Sequence, residues 1–289
     1  MAKMPHIQLD ESIGATAAIL PGDPARVDVI AKYLTDVREE TFNREYKSIT
    51  GTYKGRRILA ISTGMGGPST AICVEELADL GVKDMIRIGS CGALQKDLEL
   101  GQLVICSRAV CDDGTSQSYL GYLNYSHPEL CEMMRVPDEE ADETEEKGTE
   151  AEEAGTDGTE TGAGEEAMNL AWADLTLVRK CLKAAEELGA ANTIGSTRSH
   201  DALYLPAKGM LDEFYSGQGV SASDMETAAL FAVGEARGVR TCSILNVVVE
   251  WKKDIKEGIS SYKGGEDKAA EGEKNEIIVA LEALAAAQE

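Results

Sequence analysis

The 289-residue sequence predicts a single α/β domain with a central β-sheet flanked by helices. Three observations carry that prediction. Short apolar runs alternate along the chain with stretches of helical periodicity, which is how strands and their covering helices read. Apolar residues make up 43% of the total, enough for one sizeable core. No internal repeat divides the chain, so residues 1–289 are taken as one unit.

Ala17–Leu20 reads as a strand, followed by a turn and a helix from Pro24 to about Leu34. Asp23 is a good N-cap, and Pro24 suits the first helical position. Ile58–Ser62 is a strand and Pro68–Leu80 a helix, with Ile72, Val74, Leu77 and Leu80 among its apolar residues. Asp84–Gly89 and Leu103–Ala109 follow as strands. Leu175–Leu188 and Asp224–Arg237 are helical, and Cys242–Val249 is a buried strand. Near the end, Lys263–Lys274 is mostly polar, while Asn275–Gln288 repeats apolar residues at helical spacing and predicts a closing helix.

One segment interrupts this pattern. Residues 137–167 combine acidic, Gly and Thr residues with almost no large apolar side chain, and cannot bury enough surface to offset their ordering entropy. They are expected to be a disordered insertion in a surface loop. Within them, residues 138–166 hold fourteen Asp and Glu against one Lys, which is more than half of the net charge of −23. The balance argues against nucleic acid or an anionic membrane as partner. It leaves room for an anionic substrate in a local basic pocket.

Seven cysteines stand singly with no C-x-x-C pair, and three scattered histidines form no H-E-x-x-H pattern. No metal site is expected. The apolar runs are too short to span a bilayer and no secretory signal opens the chain, so the expected compartment is the cytoplasm.

Three turns concentrate the chemistry. Gly22-Asp23-Pro24-Ala25-Arg26 takes a strand into a helix whose free N–H groups and nearby Arg26 suit an anion. A capped helix with a surface arginine would satisfy the same residues. Arg87 lies inside an apolar strand, where its charge is costly unless paired, and Gly89-Ser90-Cys91-Gly92 follows it. A buried carboxylate or a bound anion would serve equally as partner. Ser62-Thr63-Gly64-Met65-Gly66-Gly67-Pro68 brings the backbone close to any ligand, with Met65 as a soft apolar wall. Together the turns favour an oxyanion pocket at the sheet edge.

In this order and spacing, Gly-Asp-Pro-x-Arg, Ser-Thr-Gly-Met-Gly-Gly-Pro-Ser-Thr, Ile-Arg-Ile-Gly-Ser-Cys-Gly-Ala and Ser-Asp-Met-Glu-Thr-Ala-Ala resemble the nucleoside phosphorylase I family, which includes hexameric bacterial purine nucleoside phosphorylase and uridine phosphorylase. The resemblance covers roughly residues 5–130 and 170–252. It implies a mixed sheet and a dimer-based homohexamer with shared active sites. It also implies phosphate binding by Gly22, Arg26, Arg87 and Ser90, with Arg44 reaching the neighbouring subunit's phosphate. Met65, Met225 and Glu226 would hold the ribose, and His6 would be lent to a neighbour's ribose. Asp224 stands where the family usually has Glu. No cofactor is implied, since inorganic phosphate is the co-substrate and the nucleophile. That agrees with the lack of a recognisable Ser-His-Asp or Cys-His arrangement.

The base divides the reading. Purine enzymes protonate the leaving base with an Asp after the last core strand; Glu250 occupies that place here and is the candidate general acid. Uridine enzymes use a Gln-x-Arg pair, absent from Asp201–Gly209. Yet Ser62–Thr70, Val74–Ala78 and Asp113–Ser116 look closer to the uridine branch, and on that larger block uridine is slightly favoured over inosine, guanosine or adenosine. A nucleoside hydrolase and a catalytically silent nucleoside-binding protein are the rival readings. Arg87→Ala is expected to weaken phosphate use far more than folding.

Overall fold

A computed structural model of the chain describes residues 3–126, 168–263 and 267–286. The acidic segment expected to be a disordered loop lies outside the described residues.

Among the described residues, ten strands form one mixed sheet, in keeping with the predicted class. They are β1 (Ala17–Pro21), β2 (Thr35–Asn43), β3 (Tyr46–Tyr53), β4 (Arg56–Ile61), β5 (Asp84–Ala93), β6 (Leu103–Asp112), β7 (Leu170–Trp172), β8 (Asn192–His200), β9 (Ala222–Asp224) and β10 (Arg240–Val249). The helices are α1 (Pro24–Ala31), α2 (Gly67–Asp79), α3 (Gly114–Ser126), α4 (Leu175–Leu188), α5 (Lys208–Gly217), α6 (Thr227–Arg237), α7 (Ile255–Lys263) and α8 (Asp267–Ala285).

β5 is the hub. It pairs in parallel with β1 on one side and β10 on the other, and its last residues, Gly92 and Ala93, pair antiparallel with β9. Because β10 continues through β6 and β8 to β9, these five strands close into a ring. β1-β4-β3-β2 extend from it as an open sheet, and the short β7 pairs antiparallel with β6. Parallel strands need both faces covered, and α2, α4, α6 and α8 supply apolar faces. Ile277, Ala280, Leu281 and Leu284 of α8 are fully buried, as are Leu230, Phe231 and Val233 of α6.

β1, β4, β5 and β10 run parallel, so their carboxyl ends emerge on one edge. In open α/β sheets that edge is where ligands bind. Two elements differ from expectation for physical reasons. α8 begins at Asp267, inside the stretch read as polar, because Ala269 and Glu276 are buried against the sheet and packing outweighs composition. α6 begins at Thr227, since Asp224 ends β9 and its Oδ2 accepts from the Thr227 amide at 3.0 Å.

Candidate active site

The strand ends open into one cavity of about 1370 Å³, larger than the ~300–1,000 Å³ of a common small-molecule site. Four turns build one wall. Gly22 and Arg26 come from the β1–α1 turn, Gly64 and Met65 from the β4–α2 turn, Arg87 and Ser90 from β5, and Met225 and Glu226 from the β9–α6 turn. Eight of the ten sequence-predicted site residues therefore share the cavity: these seven besides Gly64, together with Glu250 at the end of β10.

The glycines at these turns have measurable reasons. A Cβ on Gly22 would lie 3.3 Å from the Gly64 carbonyl oxygen. Gly66 has φ +94°, a region that L side chains rarely enter, and this conformation carries its amide to within 2.6 Å of Glu226 Oε1.

Arg87 resolves the two alternatives its position raised. Its Nη2 donates to Glu226 Oε2 and its Nε stands 3.4 Å from Asp224 Oδ2, so buried carboxylates do pair it. Its Nη1, however, is a buried donor without a hydrogen-bond partner and faces Gly22. Burial pushes the Glu226 carboxyl above its ordinary range, with Arg87 pulling the other way. Arg26, only 8% exposed, donates to Glu276 Oε1 of α8 at 3.0 Å and lies 3.4 Å from Glu273. Asp224, where the family usually has Glu, accepts from the hydroxyls of Ser199 and Thr227 at 2.6 Å each.

His6 and Arg44 do not line this cavity. His6 is held by Glu76, whose carboxylate accepts the His6 and Ile7 amides and contacts Nδ1 at 2.6 Å. Arg44 sits exposed in the β2–β3 turn at φ +56°. Both therefore stand away from their own chain's pocket.

Besides Glu250, the cavity is also lined by residues that sequence patterns did not single out. Lys208 of α5 donates to Asp212 Oδ2, while Asp212 Oδ1 is buried without a hydrogen-bond partner. His200 Nε2 lies 3.0 Å from Ser223 Oγ, and burial followed by Arg198 lowers its basicity. Glu250 stands half-buried beside Trp251. Only Glu276 left a legible signal: a carboxylate at the head of the apolar stripe it shares with Ala280, Ala283 and Leu284.

Comparison with known proteins matches the same stretch of chain. A family model described as "Phosphorylase superfamily" matches residues 16–285. The guanosine phosphorylase of Halorubrum lacusprofundi is 31% identical over 286 residues, 99% of this chain and 100% of that protein. The uridine phosphorylase of Thermococcus kodakarensis is 33% identical over 248 residues, 81% and 73% of the two chains. A crystal structure of uridine phosphorylase from Vibrio fischeri superposes with a TM-score of 0.76 at 31% identity, covering 98% of each chain.

Proposed function

The chain belongs to the phosphorylase superfamily, as a nucleoside phosphorylase, and from that premise we propose how its cavity divides the work and which base it takes. The observation that carries the reading is Arg87: a buried guanidinium with an unpartnered Nη1, beside Gly22 and Ser90 and on the same wall as Arg26. A buried donor without an acceptor is costly, and an incoming phosphate supplies the acceptor.

In this reading Gly22, Arg26, Arg87 and Ser90 hold phosphate, and Met65, Met225 and Glu226 hold the ribose. A phosphate oxygen forms a bond to C1′ as the bond from C1′ to the base nitrogen breaks, giving ribose 1-phosphate and free base. The arginines align the nucleophile and offset its charge, while Glu226 accepts from the ribose hydroxyls. No cofactor is needed. His6 and Arg44, both off their own chain's cavity, serve a neighbouring subunit in a dimer-based hexamer. Mixing Arg44→Ala with Glu226→Gln subunits then restores activity that neither has alone.

For the base, the geometry fits a 6-oxopurine best. Glu250 directly follows β10 at the cavity and is assigned to protonate the leaving purine. The Lys208 ammonium and Asp212 Oδ1, which has no hydrogen-bond partner and lies 3.6 Å from Arg198 Nη1, offer a donor and an acceptor to a carbonyl and a ring N–H. Uridine is the second reading, favoured by the sequence blocks at Ser62–Thr70 and Asp113–Ser116. Cleavage of guanosine, inosine, adenosine and uridine, with and without phosphate, tests all of this. Phosphate-dependent cleavage of guanosine and inosine is expected, and Glu250→Gln should slow it about 100-fold. Cleavage without phosphate would identify a hydrolase, and uridine as the preferred substrate would overturn the purine assignment.

A further inference from the structure

Behind the arginine wall lies a group that the phosphorolysis reading leaves unused. Glu276 of α8 is completely buried and does not line the cavity. Its Oε1 accepts from Arg26 Nη1 at 3.0 Å, while its Oε2 is buried without a hydrogen-bond partner. An ionised carboxylate with one oxygen orphaned in the interior is poorly solvated, whereas a protonated one leaves no such deficit.

The charge balance of the wall sharpens this. Two guanidiniums, Arg26 and Arg87, are held by four carboxylates: Glu273, Glu276, Asp224 and Glu226. Acidic charge already exceeds basic charge before any anion enters. We propose that Glu276 is the proton reservoir of the phosphate site: its carboxyl is neutral whenever phosphate occupies the Arg26–Arg87 wall, so at alkaline pH the dianion enters together with a proton drawn from solvent. This rests on the phosphate assignment above and deepens it.

The groups facing Glu276 divide. Arg26 from α1, Arg87 from β5 and the Gly89 backbone of β5 favour its charge, while Glu273, one turn earlier on α8, opposes it. Cys91 of β5 lies close enough for Glu276 to raise its thiol's pKa further. β10 turns the non-titrating Asn246 toward the same helix, and α4 meets the helix at its far end, where Lys180 reaches the Ala286 carbonyl. Burial dominates and pushes the Glu276 carboxyl up to about 8. A phosphate dianion adds negative charge beside the same arginines and pushes it higher. Glu276 touches no reacting atom in this account; it acts through Arg26 as a positioning residue.

The test is calorimetric titration of the whole protein with inorganic phosphate, between pH 8 and 10, in two buffers of different ionisation heat. Wild type is expected to take up close to one proton per phosphate above pH 8, with Kd rising about tenfold per pH unit. Glu276→Gln keeps an acceptor for Arg26 but cannot ionise, so its Kd should stay flat and its proton uptake vanish. Phosphate binding by wild type without proton uptake overturns the reservoir and leaves the phosphate site standing. Equal uptake by wild type and a folded Glu276→Gln assigns the proton elsewhere and also overturns it. Absence of phosphate binding at any pH removes both readings. The wild-type measurement decides the matter even if the variant does not fold.

Discussion

At the scale of single residues, the site is a set of charges that cannot be removed one at a time without consequence. Arg87 is 4% exposed and paired to Glu226 and Asp224. Its removal strands two buried carboxylates, a situation that costs roughly 3–5 kcal/mol. The sequence-based expectation for Arg87→Ala is therefore revised: stability and phosphate use should fall together. Arg87→Lys, which keeps one charge but loses the fork, separates them. Its kcat/KM for phosphate should drop at least about 100-fold while thermal unfolding shows most of the fold retained. Near-normal phosphate dependence in that variant would remove Arg87 from the site. Glu276 supplies a second residue-scale expectation, in stability. The unfolded carboxyl ionises near its ordinary 4.5, whereas the folded one keeps its proton to about 8. The folded state thus binds more protons across that window, and the stabilisation is full below it and lost as pH rises through about 8. Glu276→Gln should be the more stable protein at pH 9, by on the order of 4 kcal/mol, and should match wild type near pH 4. Melting curves at both pH values check this.

At the scale of elements, the turns after β1, β4, β5 and β9 do the positioning. The β4–α2 turn is the most constrained: Gly64 has φ +71°, Gly66 has φ +94°, and a Cβ on Gly64 would lie 2.7 Å from Glu45 Cγ. Gly66→Ala should cost about 1–2 kcal/mol in stability and swing its amide off Glu226. Since Glu226 is assigned to the sugar, KM for nucleoside should rise more than KM for phosphate, which steady-state kinetics would show. How much of this was legible follows from what each element displays. β1, β5 and β10 are apolar runs, and their glycine and arginine exits were readable as a site. β8 was not, because Asn192–His200 is mostly polar, and its Ser199 is buried by bonding to Asp224 rather than by being apolar. β2 and β3 hide for a related reason: β2 is mostly exposed and charged. Which carboxylates pair with the arginines was not legible, because the partners are far apart in the chain: Glu226, itself named for the ribose, is 139 positions from Arg87, and Glu276 is 250 from Arg26.

At the scale of the whole molecule, five strands close into a ring, while the open sheet β1-β4-β3-β2 carries Arg44 in its β2–β3 hairpin. The acidic stretch enters this scale through its flanks. α3 ends at Ser126 and β7 starts at Leu170, and among the described residues neither supplies one to the cavity. Deleting residues 138–166 should leave kcat/KM within about twofold, because their composition offers almost no large apolar side chain to a core and a change of loop length costs little closure entropy. A folded deletion variant without turnover would show that the segment takes part in function.

The Arg26–Glu276 pair also bears on how the protein is made. Arg26 leaves the ribosome 250 residues before Glu276. At roughly 5–20 residues per second, a nascent chain spends upwards of ten seconds with the β1–α1 turn synthesised and the helix that backs it not yet in existence. The strands of the ring can pair meanwhile, but the Arg26 side of the cavity is finished only once α8 has emerged. A chain terminated before α8 would carry every residue assigned to phosphate and still lack the Glu273 and Glu276 carboxylates that pair with Arg26.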